Sequence, residues 1–163
     1  MIISKARSDE IDDIMEVYRY AREFMAANGN PNQWGDGYPE TSLIKEDIEK
    51  GNFYVMKEDG KIVGVFAFII GEDETYSYIE DGKWSYDETY GTIHRVAGNG
   101  TVKGVFKECL DYCSCLCSYI RIDTHPNNIP MQRAILKNGF RECGIIYVRD
   151  GSKRIAYDRK KIE

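Results

Sequence analysis

The sequence predicts a mixed α/β domain in which helices cover both faces of a twisted, mainly antiparallel sheet. The first observation is a hairpin: residues 53–57 and 61–70 have the apolar and β-branched content of strands and flank Asp59-Gly60, a dipeptide typical of two-residue turns. The second is a strand–helix–strand succession in the second half, which indicates a crossover between parallel strands. With 163 residues, the chain has the length of one domain that spans 1–163.

Local signals place the remaining elements of the first half. Residues 2–6 form a short strand, and Ser8 with the acids behind it favours the start of a helix. Apolar residues then recur at helical spacing until Asn28-Gly29, where the helix should end. A loop at residues 30–39 separates this helix from a short one at residues 43–50.

The second half begins with a segment rich in tyrosine, tryptophan and acids, residues 76–90, which has a turn at Asp81-Gly82. Asn128 favours the start of the last helix, because asparagine often caps helix N-termini and Pro130 is tolerated in a first turn. Strands are expected at residues 91–97, 119–124, 140–147 and 154–158, and helices at residues 104–117 and 128–138.

Composition excludes several classes of protein. The net charge of −5 argues against a general binder of nucleic acid or anionic membranes, which usually has a basic face. The longest apolar run, residues 62–70, is too short for a membrane span, and the N-terminus lacks the layout of a secretion signal. Five cysteines are an odd number, and four crowd into residues 109–117 without a Cys-x-x-Cys pair, which argues against disulfides and a metal site. We therefore expect a reduced, cytoplasmic protein that binds neither nucleic acid nor a membrane.

A glycine-rich turn links the strand at residues 91–97 to the next helix. Gly98, Gly100 and Gly104 let backbone N–H groups converge at a helix N-terminus, which favours a bound phosphate, although such turns also occur without a ligand. The turn is not a P-loop, because no Gly-Lys-Ser/Thr sequence ends it. It is one residue too long for a dinucleotide fingerprint, but Asp123 at the end of the next strand leaves a nicotinamide-dependent enzyme as an alternative.

Several runs of residues share their pattern with one family of enzymes. Ile93-His94-Arg95-Val96-Ala97 is like the fourth strand of that family, and residues 128–140, which end in Gly-Phe, match its late signature. The runs at residues 120–125, 144–147 and 154–157 are typical of one bacterial branch. On these residues, and in the order of its elements, the chain resembles the GNAT superfamily of acyl-CoA-dependent N-acetyltransferases over nearly its whole length.

The resemblance implies a GNAT-like fold and the transfer of an acetyl group to a primary amine, of a small molecule or a peptide, by direct attack. Acetyl-CoA is then the co-substrate, no metal is required, and a homodimer is one assembly open to the chain. The residues expected to hold coenzyme A, mostly through their backbone, are Val96, Ala97, Gly98, Asn99, Gly100, Thr101, Val102, Lys103, Gly104, Val105 and Asn128.

Two positions depart from the pattern of the resembling family. Its pyrophosphate motif is Arg/Gln-x-x-Gly-x-Gly/Ala, and the matching residues 101–106 keep only Gly104 and end with the bulky Phe106. Ile135 occupies the position of a tyrosine that is thought to reprotonate the coenzyme A thiolate. These departures leave a catalytically silent acyl-CoA-binding or regulatory module as an alternative.

Two histidines are candidates for proton transfer. An amine attacks a thioester only when it is unprotonated, so a base must accept a proton near neutral pH, where histidine is well suited. His94 lies on the strand expected to line the thioester, and His125, after a strand end, is the second candidate. Each also has a structural interpretation, His94 as a packed strand residue and His125 as the residue that fixes the turn before Asn128. Asp123 is interpreted as the ion-pair partner of Arg121.

Aromatic and acidic residues indicate where the amine acceptor would bind. Aromatic faces with carboxylates attract a cationic amine through cation–π and charge contacts, although a solvated acidic hairpin with packed tyrosines is the alternative. In the resembling family the acceptor enters between the early helices and the middle strands. The candidates are Trp34, Tyr38, Tyr78, Glu80 and Trp84.

Overall fold

The structure is a computed structural model that describes residues 1–35 and 37–161. In these residues the strands are β1 (Ile2–Lys5), β2 (Phe53–Glu58), β3 (Lys61–Ile70), β4 (Gly91–Gly98), β5 (Tyr119–Thr124), β6 (Arg141–Tyr147) and β7 (Lys153–Lys160). The α-helices are α1 (Ile11–Ala27), α2 (Thr41–Glu49), α3 (Val105–Leu116) and α4 (Ile129–Lys137), with 3₁₀ turns at Ser8–Glu10 and Glu74–Tyr76. No helix within this part of the chain has the length and apolar content needed to cross a bilayer.

The strands form one sheet in the order β1-β2-β3-β4-β5-β7-β6, and every neighbouring pair is antiparallel except β4 and β5. The parallel pair shares only two register positions, Gly91 opposite Ile120 and Thr92 opposite Arg121. Because both lie at the start of the strands, pairing stops there and β4 separates from β5 towards their C-terminal ends. The mixed, mainly antiparallel sheet predicted from the sequence is confirmed.

Helices cover both faces of the sheet, as predicted. On one face α1 and α2 bury an apolar cluster that includes Ile14, Ile44 and Val65. On the other face α3 and α4 pack against Ile122 and its neighbours in a second cluster. A third cluster packs the segment that precedes β4 onto β5, β6 and β7; its buried members are Tyr76, Tyr90, Tyr119, Ile146 and Ala156.

The start of the first helix differs from the prediction that Ser8 caps it. Residues Ser8–Glu10 form a 3₁₀ turn, and the carboxylate of Glu10 accepts the backbone N–H of Arg7 at 2.9 Å. Glu10 is buried, and its other oxygen pairs with Lys57 of β2 at 2.8 Å, which compensates the charge. This contact between distant parts of the chain replaces the local cap that the sequence pattern favours.

Candidate active site

A β-bulge interrupts β4 where it should line the site. His94 lies opposite Ala67 and Ala97 lies opposite Val65, so three residue steps on β4 match two on β3. Arg95 absorbs the extra residue with a φ of 54°, a left-handed conformation that is uncommon for a side chain of its size. The hydroxyl of Tyr18 on α1 donates to the carbonyl oxygen of Arg95 at 2.7 Å and so holds the bulge in place.

The side chain of Arg95 brings two predicted acceptor residues to this bulge. Its guanidinium pairs with the carboxylate of Asp47 on α2, and Nη1 donates to the hydroxyl of Tyr38 at 3.3 Å. The ring of Trp34 lies 6.2 Å from that of Tyr38 and meets Tyr18 edge to face at 5.5 Å. Trp34 and Tyr38 therefore form one aromatic group beside the residue that follows His94.

His94 itself forms a pair with a carboxylate that the sequence did not single out. Its Nε2 lies 2.9 Å from Oδ2 of Asp73, and both side chains are about one-fifth exposed, which leaves the pair accessible to a ligand. The other carboxylate oxygen of Asp73 accepts the backbone N–H and the hydroxyl of Thr75, at 2.9 and 2.7 Å. Burial alone would raise the pKa of Asp73, but hydrogen bonds from His94 and Thr75 and the histidine charge lower it to about 2.

Asp123 of β5 lies near this pair, on the far side of the gap between β4 and β5. Tyr76, a fully buried residue of the second 3₁₀ turn, donates its hydroxyl to Oδ2 of Asp123 at 2.6 Å. Burial raises the pKa of Asp123, and His94, the hydrogen bond from Tyr76 and Arg154 offset only part of this effect. A carboxyl group with a raised pKa in a cleft is a feature of functional sites.

The predicted ion pair between Arg121 and Asp123 is wrong. The guanidinium of Arg121 instead lies over the rings of Trp84 and Tyr90, with centroids at 4.3 and 3.9 Å. It also donates to the backbone oxygen of Tyr86 at 2.9 Å. Aromatic faces, one carbonyl and the hydroxyl of Tyr119, which accepts from Nε at 3.2 Å, satisfy this buried cation, so it does not need the carboxylate two residues away.

His125 holds a turn, which was the structural interpretation of its position. Its Nδ1 accepts the backbone N–H of Asn127 at 3.0 Å, and its carbonyl accepts that of Asn128 at 2.9 Å. Burial and the charge of Arg154 lower the pKa of the His125 ring. The second catalytic candidate therefore lies in the turn before α4, and its catalytic role stays a prediction.

Asn128 is the N-cap of α4, as predicted, because its Oδ1 accepts the N–H of Met131 at 3.2 Å. Its amide nitrogen donates to Oε1 of Gln33 at 3.0 Å, and Asn30 donates to the same oxygen at 2.8 Å. Gln33 also accepts from Arg154 through its carbonyl at 3.4 Å. Sequence reasoning missed Gln33, which ties the loop between α1 and α2 to α4 and β7.

The glycine turn brings the N-terminus of α3 onto the end of β4. A Cβ atom at Gly98 would lie 3.2 Å from the side chain of Val105, and one at Gly64 would lie 3.0 Å from it. The two glycines thus let Val105, the first residue of α3, pack directly on β3 and β4. Gly104, the N-cap, has a φ of 80° and open space around it. Because the first N–H groups of a helix lack intrahelical partners and carry its positive dipole, this turn suits an anion.

The two departures from the family pattern have different surroundings. Phe106 is half-buried, and its ring lies 6.4 Å from that of Phe140. Ile135 is fully buried in the core between α4 and the sheet. The site therefore has no hydroxyl at position 135, and Phe106 packs on an aromatic neighbour.

The three remaining acceptor candidates lie apart from Trp34 and Tyr38. Glu80 accepts hydrogen bonds from Tyr78 at 3.1 Å and Tyr147 at 2.9 Å, along the β6 edge of the sheet. Trp84 donates its indole N–H to the carbonyl of Tyr76 at 2.9 Å and packs on that ring. Tyr78 is 62% exposed, so it is free to contact a ligand, whereas Trp84 is held in the packing of its own segment.

The cysteines remain free thiols, and Cys109, Cys113 and Cys143 are buried. Burial raises the pKa of Cys143 to about 12, which keeps that thiol protonated. Within residues 1–35 and 37–161, no three histidine, cysteine or acidic side chains are placed to share a metal ion.

A parallel pair that splays apart, a bulge on β4 and a helix N-terminus after that strand meet at one place in the fold. The profile of the Acetyltransferase (GNAT) family matches residues 14–140. The chain belongs to this family of acetyltransferases, which generally uses acetyl-CoA as co-substrate. This assignment removes the nicotinamide-dependent alternative.

Solved structures agree with the family assignment. An acetyltransferase of the GNAT family from Streptococcus agalactiae 2603 is 34% identical over 99% of this chain and 96% of its own, with a TM-score of 0.91. A proposed acetyltransferase from Staphylococcus aureus MU50 is 26% identical over 98% and 99%, with a TM-score of 0.73. A ribosomal-protein-alanine N-acetyltransferase from Brucella melitensis, 13% identical over 99% and 100%, shares the fold with a TM-score of 0.66. No curated protein sequence matches the chain.

Proposed function

We propose that the protein transfers the acetyl group of acetyl-CoA to a primary amine by direct attack, with His94 as the proton acceptor. The observation that carries this proposal is the pairing of His94 with Asp73 on the bulged strand, beside the gap between β4 and β5. A histidine held against a carboxylate can take up a proton near neutral pH and hand it to water. Attack on the thioester requires the acceptor amine to lose its proton at this point.

Coenzyme A is held through its pyrophosphate by the backbone from Gly98 to Val105. The residues present fit this group: the turn is largely exposed, and the N-terminus of α3 supplies N–H donors and a positive dipole. Thr101 already donates its N–H and its hydroxyl to the side chain of Asn99, at 3.1 and 2.6 Å, which orders the turn. The neighbours Val96, Ala97, Gly100, Val102, Lys103 and Gly104 complete the proposed contact surface, and Asn128 lies across the gap at α4.

The edge of β4 that faces β5 supplies the donors for the developing oxyanion. The ladder between β4 and β5 covers only Gly91 and Thr92 of β4, so backbone N–H groups on that edge between Val96 and Gly98 are available to the thioester oxygen. The leaving thiolate is fairly stable in itself, since a free thiol has a pKa of about 8.5. Ile135 in place of a hydroxyl donor is therefore compatible with turnover.

The acceptor binds next to Trp34 and Tyr38, which lie on the side of β4 that carries His94. Aromatic faces and nearby carboxylates favour a protonated amine. The fold alone does not tell whether the acceptor is a peptide or a small molecule. A protein from Brucella melitensis with the same fold is named a ribosomal-protein-alanine N-acetyltransferase, so a protein acceptor is compatible with this fold. To determine the acceptor class, polyamines, aminoglycosides, amino acids and short peptides are screened as substrates, and the release of the coenzyme A thiol is measured.

Calorimetric titration with acetyl-CoA and coenzyme A tests the proposal before any acceptor is known. Saturable binding of both is expected, and the absence of binding at millimolar ligand would contradict it. Binding without acetyl transfer to any acceptor of the panel would instead support the silent acyl-CoA-binding module. Stabilisation against heat should follow RT ln(1 + [L]/Kd), about 2.7 kcal/mol at a hundredfold excess of ligand over Kd.

A further inference from the structure

We infer that Asp73 is the positioning residue of the site: it fixes the tautomer and orientation of the His94 ring, so that Nδ1 is the atom that accepts the proton. The inference rests on the proposed function and adds a residue and an atom to it. Asp73 lies on the short segment between β3 and the second 3₁₀ turn, 21 residues before its partner, where no local motif marks it.

The first argument is the hydrogen bond itself. The Nε2 atom of His94 lies 2.9 Å from a carboxylate oxygen, and an ionised carboxylate can only accept. The proton of a neutral His94 ring must therefore sit on Nε2, which leaves the lone pair on Nδ1. In the described part of the chain Nδ1 has no hydrogen-bond partner, so its lone pair is free for an amine proton or for one intervening water.

The second argument is that the carboxylate is itself fixed. Thr75 donates twice to Oδ1 of Asp73, and the backbone N–H of Asp73 donates to the hydroxyl of Tyr90 at 2.8 Å. Tyr90 is buried beneath the guanidinium of Arg121. The bonds from Thr75 fix one oxygen of the carboxylate, the bond to Tyr90 fixes the backbone of Asp73, and the other carboxylate oxygen faces His94.

The third argument concerns the short turn Glu74–Tyr76 that follows Asp73. Asp73 at its start binds His94 of β4, and Tyr76 at its end binds Asp123 of β5. One turn thus holds polar groups of both strands at the point where the sheet opens. A purely structural cap needs only the contacts to Thr75, and the additional hydrogen bond to His94 is the one that serves the chemistry.

The decisive experiment compares Asp73→Asn with Glu74→Gln. Both variants remove one negative charge, but Glu74 is exposed and makes no side-chain contact with His94. Asp73→Asn should lower kcat by about 10- to 100-fold with little change in the KM for acetyl-CoA, because the neutral amide no longer fixes the tautomer. The pH profile of kcat/KM should also differ from that of the wild type, because the ring that accepts the proton has lost its neighbouring carboxylate. Glu74→Gln should keep the wild-type rate and profile, and Asp73→Glu should recover part of the loss.

Nitrogen NMR of histidine-labelled protein gives a readout that does not depend on turnover. The chain has two histidines, so His94→Ala assigns the signals of His94 by their loss. The wild-type ring should carry its proton on Nε2 at high pH, and Asp73→Asn should shift it to a mixture of tautomers. An unchanged tautomer and pH profile in a folded Asp73→Asn protein would overturn the inference. If His94→Ala also retains full activity, His94 is not the base. If His94→Ala loses activity but Asp73→Asn has no effect, His94 remains the base and only the positioning role of Asp73 is wrong.

Discussion

Arg95 in the bulge of β4 and Asp47 of α2 form an ion pair whose side chains are both about nine-tenths buried. The pair ties β4, the strand that carries His94, to α2, which lies beside the proposed acceptor site. Removal of one partner leaves an uncompensated charge in the interior, which is far more costly than the loss of an exposed pair.

Asp47→Ala should therefore lower the free energy of unfolding by about 3–5 kcal/mol, as measured by urea denaturation. Glu46→Ala is the matched control, because Glu46 lies one residue earlier and pairs with Lys50 on the surface of the same helix. That control should change stability only slightly. Equal losses in the two variants would show that the buried pair does not hold the bulge.

Asp123→Asn should stabilise the protein at about pH 7. The folded-state pKa of Asp123 is raised above its ordinary 3.8, so the folded chain binds this proton more readily than the unfolded chain. The contribution of Asp123 to the free energy of unfolding is therefore favourable below pH 3.8 and is lost as the pH rises through its folded-state pKa. Near neutral pH the ionised carboxylate destabilises the folded protein. An asparagine oxygen can still accept the hydroxyl of Tyr76. The melting temperature should rise by a few degrees at pH 7, with no gain at about pH 3; a loss at pH 7 would contradict the burial effect.

Asp73 should show the opposite pH dependence. Its pKa is lowered from 3.8 to about 2 in the folded state, so its stabilising contribution is present above 3.8 and is lost as the pH falls towards 2. The difference in unfolding free energy between the wild type and Asp73→Asn should be largest above about pH 4 and should shrink as the pH falls from 3.8 towards 2. A difference that stays constant down to pH 2 would mean that the carboxylate is not held by His94 and Thr75.

Gly104→Asp should weaken coenzyme A binding by about tenfold or more, because it places a negative charge at the proposed pyrophosphate site. Gly104→Asn is the control: it has nearly the same shape and tolerates the left-handed φ of 80°, but it carries no charge. Calorimetry should give a Kd for coenzyme A that is close to the wild-type value in Gly104→Asn and much larger in Gly104→Asp. Equal affinities in all three proteins would place the pyrophosphate elsewhere.

Tyr38→Ala should raise the KM for the acceptor by about tenfold without changing the KM for acetyl-CoA, because its ring lies beside the bulge. Tyr78→Ala tests the other aromatic group, at the edge formed by β6. If Tyr78→Ala has the larger effect on the acceptor KM, the acceptor enters along that edge instead.

The parts of the fold that could be predicted from the sequence depend on contacts between near neighbours. The Asp59-Gly60 turn, with φ values of 51° and 78°, follows from two residues, and the cap of α4 from Asn128 alone. The amide of Gln33 meets that of Asn128 across 95 residues, and no local pattern announces such a contact.

The site shows the same division. His94 could be chosen from its strand and its chemistry, but Asp73 is one acid among many in its segment. Its role depends on the register of β3 and β4, which a single sequence does not specify. The prediction of an ion pair between Arg121 and Asp123 failed for a similar reason. Trp84 and Tyr90 come to lie against the guanidinium only in the folded chain, and their distance along the sequence does not indicate this contact.

The most direct test of the account is the pH dependence of kcat/KM for His94→Ala, measured with saturating acetyl-CoA and an acceptor from the panel. The wild type should show a rate that increases with pH through an inflection between about 6 and 8, the range that histidines commonly span. His94→Ala should reduce the rate by about 10²-fold and remove that inflection, while the affinity for acetyl-CoA stays nearly constant. His125→Ala, which disrupts a turn, should change stability more than the profile. Near-full activity of His94→Ala with the same inflection would contradict the assignment of His94 as the base.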